Sequence, residues 1–151
     1  MEDVTVERLI EYSDEDAEGI GHLMPFLSDT FTGEPVAKDL LEAIILSPHH
    51  DQLIARLEGR IVGAATMSII IGTGAGRIGY LEDFVTDPEV RKRGIGTKVW
   101  EEMKTWCKEQ GVNLEFTSRP SRTDAHHFYL AKGAVVRDTT VFHVDVEKNT
   151  F

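Results

Sequence analysis

The spacing of hydrophobic and polar residues predicts an alternation of helices and strands along the whole chain. A first strand is expected over Thr5–Glu11. Ser13 is placed to cap the helix that follows, whose apolar face is formed by Ala17, Ile20, Leu23, Met24 and Leu27, with a disturbance at Pro25. A loop over Ser28–Glu34 then leads to a second helix, which Pro35 is expected to open and Ser47-Pro48 to end.

Strand patterns dominate the middle of the chain. Two of them, Gln52–Leu57 and Arg60–Ile71, are separated by Glu58-Gly59, which is typical of a tight hairpin turn. A second turn over Gly72–Gly76 leads into a strand over Ile78–Thr86. These patterns predict three consecutive antiparallel strands.

The last third returns to mixed elements. Helical spacing resumes and is expected to end at Gly111; the apolar positions are Ile95, Val99, Met103 and Trp106. A strand is predicted over Val112–Ser118, and a last helix over Ser121–Lys132, capped by Ser121 and stopped by Gly133. Val135–Val146 is predicted to form the closing strand.

The order β-α-α-β-β-β-α-β-α-β predicts an α+β fold, with a mixed, mostly antiparallel sheet flanked by about four helices. No linker or repeat interrupts the 151-residue chain, so a single domain over residues 1–151 is expected. The composition, 41% hydrophobic and 28% charged, is ordinary for a globular protein. The net charge of −10 argues against nucleic-acid or anionic-membrane partners and fits a small cationic substrate, although acidity serves solubility equally well.

Cysteine and histidine usage excludes two further classes of site. The single Cys107 cannot form an internal disulfide, and with no signal pattern or membrane-length apolar run the expected location is cytoplasmic. His49-His50 and His126-His127 are adjacent pairs without the helical i, i+4 spacing of a metal site. No metal is therefore expected.

Two glycine-rich stretches compete for a phosphate ligand. Gly74–Gly79 matches G-x-G-x-x-G but leads into a strand instead of a helix, so we interpret it as a hairpin turn. The stretch Arg91–Gly96, with the sequence RKRGIG, lies between a strand and a helix. Free N–H groups at a helix start attract anions, and glycines let a phosphate approach the backbone. Because Val99 replaces the third dinucleotide glycine, the stretch predicts a diphosphate site outside the Rossmann class.

Three motifs in this order resemble those of one known family. Arg91-x-x-Gly94-x-Gly96 resembles the Q/R-x-x-G-x-G/A signature of the GNAT superfamily of N-acetyltransferases, whose loop binds the pyrophosphate of coenzyme A. Leu81–Val90 is similar to the strand and turn that precede this loop. Ala125-x-x-Phe128-Tyr129-x-x-x-Gly133 is similar to the C-terminal element of the family. The resemblance covers essentially the whole chain and implies the GNAT acyl-CoA N-acyltransferase fold.

The resemblance implies that acetyl-CoA is the cosubstrate and that a small-molecule primary amine is the acceptor. Phe84, Val85 and Thr86 would pair with the pantetheine arm. The pyrophosphate would be held by Arg91, Lys92, Arg93, Gly94, Ile95, Gly96 and Thr97, and Phe128 is counted with the coenzyme-binding residues. No nucleic-acid or membrane partner is expected, and family analogy suggests a homodimer.

Acetyl transfer to an amine requires a proton acceptor for the ammonium and a proton donor for the leaving thiolate. Glu82 is the first choice for the general base and Asp83 the second. Because alternation along a strand sends neighbouring side chains to opposite faces, only one of the two can easily point into the cleft. Tyr129 is the expected general acid, since a phenol can donate a proton at neutral pH. The expected substrate contacts are Asp29, Phe31, Glu34 and His126.

The sequence leaves the acceptor open. The Arg122–Tyr129 segment looks like a small-molecule branch that includes aminoalkylphosphonate acetyltransferases, whereas Glu82-Asp83 resembles the paired acids of glucosamine-phosphate acetyltransferases. Arg122 and Ala134 also depart from the usual family residues. Acetylation of a protein N-terminus or lysine, and a non-catalytic acyl-CoA-binding module, are the alternatives. Retention of both Glu82 and Tyr129 favours catalysis.

Overall fold

The computed structural model describes residues 3–90 and 93–148. Its internal contacts divide the chain into two compact units, one ending at Phe116 and one beginning at Thr117, and each is described by itself. The single domain over residues 1–151 stays a prediction.

The first unit contains a five-stranded sheet and three helices. Its strands are β1 (Thr5–Arg8), β2 (His50–Leu57), β3 (Arg60–Gly72), β4 (Gly76–Thr86) and β5 (Leu114–Glu115), in that spatial order. Its helices are α1 (Asp14–Leu23), α2 (Lys38–Leu46) and α3 (Ile95–Gln110), with short 3₁₀ helices at Met24–Phe26 and Pro88–Val90. Neighbouring strands are antiparallel except for the parallel β4–β5 pair. With α4 (Thr123–Ala131) in the second unit, this confirms the predicted α+β class.

Local sequence signals set most of these boundaries. The Ser13 hydroxyl accepts a hydrogen bond from the Asp16 N–H (3.1 Å) and begins α1, while Pro25 converts its end into a 3₁₀ turn. Glu58 and Gly59 have φ values of 54° and 77°, as a two-residue hairpin turn requires. Gly111, at φ 67°, ends α3.

The two faces of the sheet pack against different helices. On one face Ile54, Ala64 and Val85 form a buried core with apolar residues of α1 and α2. On the other face α3 buries Ile95, Val99, Trp100, Met103 and Trp106. The Trp106 indole N–H donates to the Asp51 carboxylate (2.8 Å), so this large side chain is both packed and hydrogen-bonded.

Near the N-terminus, two predicted boundaries were wrong. β1 ends at Arg8 instead of Glu11. α2 begins at Lys38 instead of Pro35, because the preceding backbone is held against α1. The Val36 N–H donates to the Ala17 carbonyl (3.0 Å), which keeps this segment out of the helix.

Three predictions near the C-terminus were also wrong. The strand over Val112–Ser118 shrinks to Leu114–Glu115, since the Val112 N–H closes the end of α3 by donating to the Cys107 carbonyl (3.0 Å). α4 begins at Thr123 after an Arg119–Arg122 turn, and Ser121 does not cap it.

The closing strand predicted over Val135–Val146 does not form, and its valines and Phe142 are exposed. A strand-like sequence pattern forms a strand only where a neighbouring strand is available to pair with it.

Candidate active site

A β-bulge shapes β4 at the two candidate carboxylates. Thr66 of β3 pairs with Glu82, but Ala64, two residues earlier, pairs with Val85, so β4 carries one extra residue. Asp83, at φ 52°, takes the left-handed conformation, which is uncommon outside glycine. The bulge therefore interrupts the simple alternation that would send Glu82 and Asp83 to opposite faces.

A row of polar side chains crosses the sheet in register with the bulge. Gln52 pairs with Thr66 and Thr66 pairs with Glu82, so the three side chains share one face. Gln52 is only 3% exposed. Its amide nitrogen donates to the carbonyls of Leu53 and Ala65 (both 3.2 Å), and its amide oxygen accepts from the Thr66 hydroxyl (2.8 Å). This network fixes the direction of every hydrogen bond in it.

A cavity of about 310 Å³ lies over Gln52 and Thr66 of this row, within the first unit, and Glu82 is not among the residues that line it. Its polar lining comes from Gln52, Thr66 and Asp83 at the sheet and from Thr32 and Glu34 in the loop between α1 and α2. The remaining wall is mostly apolar and includes Ile20, Met24, Phe31, Leu40, Leu41 and Ile44. The cavity thus has a polar floor at the sheet and hydrocarbon walls from α1, α2 and the loop between them.

The loop between α1 and α2 is fixed by a close approach to Gly21. A Cβ at that position would overlap the Glu34 carbonyl oxygen and lie 2.9 Å from the Pro35 Cα. Only glycine allows the two backbones to approach this closely. Glycine at position 21 therefore determines where the cavity wall, including Glu34, lies.

The two carboxylates are suited to accepting protons. Partial burial raises the pKa of Asp83 above its ordinary value. Burial, and secondly the negative charge of Asp83, raise the pKa of Glu82. A raised carboxyl pKa makes the carboxylate a stronger base near neutral pH.

The start of α3 has the features of an anion-binding site. Gly94 caps the helix at φ 72°, and no atom lies within 4 Å of where its Cβ would be. Arg93, Gly94 and Thr97 are exposed, and the first turn of α3, all of which the structure describes, contains no acidic residue. The predicted ligands Arg91 and Lys92 lie outside the described residues. Open backbone N–H groups without a competing carboxylate fit the pyrophosphate of acetyl-CoA.

A buried carboxylate lies directly after the end of β4, in the segment that connects β4 to α3. Asp87 is 3% exposed, and its carboxylate accepts hydrogen bonds from Arg60 (3.0 Å) and from the Glu89 N–H (2.9 Å). The ladder between β4 and β5 covers Gly79 and Tyr80 and does not extend to Phe84, Val85 and Thr86. These last three residues, predicted to bind pantetheine, lie in the part of β4 beyond that ladder.

In the second unit, α4 carries the other predicted residues. Phe128 and Tyr129 form an edge-to-face ring pair with centroids 5.9 Å apart. Burial raises the pKa of Tyr129, while the nearby charge of Arg122 opposes the shift, so the phenol keeps its proton at neutral pH. The His126 Nε2 is shielded from solvent and has no hydrogen-bond partner among the residues that the structure describes.

The structure brings only part of the predicted substrate set to the cavity. Phe31 and Glu34 line it, whereas Asp29 is exposed on the same loop and does not. Gln52 and Thr66 were not predicted from the sequence, although polar residues inside otherwise apolar strands were a usable signal. Gly21 was not predicted either, and nothing in the helical pattern distinguishes it.

Neither a metal centre nor a membrane segment was found in the described parts of the chain. Among residues 3–90 and 93–148, no group of three or more His, Cys, Asp or Glu is placed to hold a metal ion. Within the same residues, no helix combines the length and the hydropathy needed to cross a membrane.

The model of the acetyltransferase (GNAT) family matches residues 17–134. The chain therefore belongs to this family and is an N-acetyltransferase, which confirms the resemblance seen in its motifs.

Among curated proteins, an aminoglycoside N(6')-acetyltransferase type 1 from Serratia marcescens is 25% identical over 109 residues, covering 68% of this chain and 75% of that protein.

Solved structures share the fold. An aminoglycoside acetyltransferase from an uncultured soil metagenomic sample, in complex with sisomicin, has a TM-score of 0.80 at 17% identity and covers 95% of each chain. The structure of AAC(6')-Iy with the bisubstrate analogue CoA-S-monomethyl-acetylneamine has a TM-score of 0.74 at 20% identity, covering 94% of this chain and 97% of that one. At these identities the likeness concerns the fold alone.

Proposed function

We propose that this acetyltransferase moves the acetyl group of acetyl-CoA to the primary amine of a small molecule. The observation that carries the proposal is the cavity of about 310 Å³ whose polar floor contains Thr66 and Asp83. A pocket of this volume is at the lower end of the range for small-molecule sites. A peptide or protein acceptor would need a longer groove, so the volume of the cavity favours the small-molecule alternative.

The coenzyme would be held by the start of α3 and by β4. Backbone N–H groups around Gly94 and Gly96 would receive the pyrophosphate, and the exposed Arg93 would add a cation. The predicted contributions of Arg91, Lys92, Ile95, Thr97 and Phe128 rest on the resemblance. When bound, acetyl-CoA supplies an activated acetyl carbonyl: its bond to the amine nitrogen forms as its bond to sulfur breaks.

The amine must lose a proton before its nitrogen lone pair can attack. We assign Asp83, which lines the cavity, to holding the ammonium, and Glu82 to accepting its proton, directly or through a water. Glu82 is supported by its raised pKa and by its place in the row with Thr66. A general base of this kind typically contributes about 10²- to 10⁴-fold.

The leaving sulfur needs a proton, and Tyr129 is the proposed donor at its Oη. The A-x-x-F-Y motif and the raised pKa of this phenol support the role. The nitrogen loses two protons in all: Glu82 takes the first, and the second, released once the bond to the acetyl carbon has formed, replaces the proton that Tyr129 gives to the sulfur. The products are then a neutral amide, a free thiol and a protonated Glu82.

Calorimetry followed by a thiol-release assay tests the proposal. We expect acetyl-CoA to bind to the protein, and free thiol to appear only when a small primary amine is added. Binding without thiol release on any amine or peptide would instead support the non-catalytic module.

The assignment of the two carboxylates is tested by a matched pair of variants. Asp83→Asn is expected to raise mainly the KM for the amine, and Glu82→Gln to lower mainly kcat. The opposite split would exchange the two roles.

A further inference from the structure

The cavity of about 310 Å³, called the acceptor cavity from here on, has a lining whose chemistry indicates which kind of amine it binds. We propose that it selects a single ammonium group attached to a hydrocarbon or aromatic body, and that the Thr66 hydroxyl binds this ammonium together with Asp83. The substrate class rests on the proposed function, whereas the ligand selectivity of the cavity is a separate property that binding alone can measure.

The hydrogen bonds in the floor of the cavity have a fixed direction. Both N–H groups of the Gln52 amide are used by the carbonyls of Leu53 and Ala65, so its oxygen must face Thr66. The Thr66 hydroxyl therefore donates its only hydrogen to this oxygen, at 2.8 Å. What the hydroxyl still offers are lone pairs, which accept from an N–H donor and cannot donate to a ligand oxygen.

The floor of the cavity carries a negative charge at Asp83. Asp83 lies in the lining together with Thr66, so a carboxylate and an acceptor-only hydroxyl line the same cavity. Such a pair suits an ammonium, which has three N–H donors and no acceptor. A ligand hydroxyl or phosphate oxygen would find only acceptors among these two groups.

The wall of the cavity is mostly apolar. Leu41 is 1% exposed and Ile20 is 4% exposed, and both line the cavity with Met24 and Ile44. An ammonium or hydroxyl of a polyhydroxylated polyamine that lay against these buried side chains would lose water there without gaining a hydrogen-bond partner. The described part of the lining offers one further carboxylate, Glu34, and neither lysine nor arginine.

The lining of the cavity is poorly suited to two other classes of amine substrate. A polyamine sugar such as neamine carries more ammonium groups than the two lining carboxylates can pair. An aminoalkylphosphonate carries an anion for which the described lining has no cation. An arylalkylamine instead places its ring against the wall and its ammonium on the floor.

The decisive experiment is calorimetry on the full-length protein without acetyl-CoA, using 2-phenylethylamine, ethylamine, neamine and 2-aminoethylphosphonate as probes. We expect 2-phenylethylamine to bind about 10- to 100-fold more tightly than ethylamine, because burying an aromatic side chain contributes that much. It should also bind more tightly than neamine and 2-aminoethylphosphonate. Equal or tighter binding of either polar probe, or no gain over ethylamine, would overturn the proposal.

Variants at Thr66 test the role of the floor. Thr66→Val keeps the side-chain shape and removes the acceptor, so 2-phenylethylamine should bind about 10-fold more weakly, whereas Thr66→Ser should retain near wild-type affinity. In the thiol-release assay the loss should appear in the KM for the amine more than in kcat. Equal binding by the Val and Ser variants would overturn the assignment of Thr66.

The two proposals fail in different ways. Tight, selective binding of 2-phenylethylamine without thiol release would contradict the proposed function and support the cavity selectivity. Thiol release with neamine as the best amine would support the function and overturn the selectivity. If Thr66→Val does not fold, the four-probe comparison on the wild-type protein still decides the question.

Discussion

Replacing Gly21 by alanine tests how the acceptor cavity is built. The added methyl group would overlap the Glu34 carbonyl and lie 2.9 Å from the Pro35 Cα, so the backbone of the cavity wall must move. Overpacking of this kind typically costs about 1–3 kcal/mol, and the better helix propensity of alanine returns up to about 1 kcal/mol. We expect a net loss of about 1–2 kcal/mol, or roughly 2–8 °C in Tm for a chain of this size.

Denaturant unfolding gives the stability change, and calorimetry with 2-phenylethylamine gives the effect on the cavity. Amine binding should weaken while acetyl-CoA binding stays near wild type, since Ile95 at the start of α3 packs at Gly63, on the opposite face of the sheet from α1 and α2. Gly19→Ala is the matched control: it lies in the same helix, but the three atoms nearest to its methyl group all belong to the side chain of Ile61, at 3.0–3.3 Å, instead of to backbone. Wild-type stability and amine affinity in Gly21→Ala would refute the reasoning.

Three further predictions concern the proposed catalytic and coenzyme-binding groups. Gly94→Glu should reduce acetyl-CoA affinity at least about 10-fold by calorimetry, because a like charge would repel the pyrophosphate; Gly94→Asn, which tolerates the φ of 72°, is the control, and unchanged affinity in the Glu variant would disprove the site. Tyr129→Phe should lower kcat on the order of 10²-fold with little change in acetyl-CoA affinity, and an unchanged kcat would remove Tyr129 as the acid. The raised pKa of Asp83 means that the folded state binds its proton more tightly than the unfolded state, so the carboxylate lowers stability as pH rises above its ordinary value of 3.8. Asp83→Asn should therefore raise Tm at neutral pH, with the difference vanishing near about pH 3, and a Tm that falls at neutral pH would contradict this sign.

Local signals made much of the fold predictable. The Ser13 cap, the Glu58-Gly59 hairpin and the Gly111 helix end depend on a few neighbouring residues, and the sequence indicated all three correctly. The interpretation of Gly74–Gly79 as part of a hairpin was correct in kind, since a turn over residues 73–75 joins β3 to β4, but β4 already begins at Gly76.

Features that depend on distant partners were not predictable from local pattern. The bulge at Asp83 arises from the pairing of β4 with β3, and no nearby residue signals it. The late start of α2 depends on contacts with Ala17 and Gly21. The absence of a strand over Val135–Val146 shows the same limit, since β-propensity does not specify a pairing partner.

The same distinction between local signals and distant partners applies to the residues of the candidate site. The motifs drew attention to Gly94, Glu82 and Tyr129, whose roles remain proposals. The floor formed by Gln52 and Thr66 became visible only with the register of three strands. Its chemistry depends on hydrogen-bond direction, which spacing along the chain does not encode.

The most direct test of the central claim follows thiol release from acetyl-CoA with mass spectrometry of the amine product. With 2-phenylethylamine as acceptor, we predict one equivalent of free thiol for each N-acetylated amine formed, and loss of both in the Glu82→Gln, Asp83→Asn double variant. Absence of thiol and of acetylated product with every small primary amine tested would contradict the account.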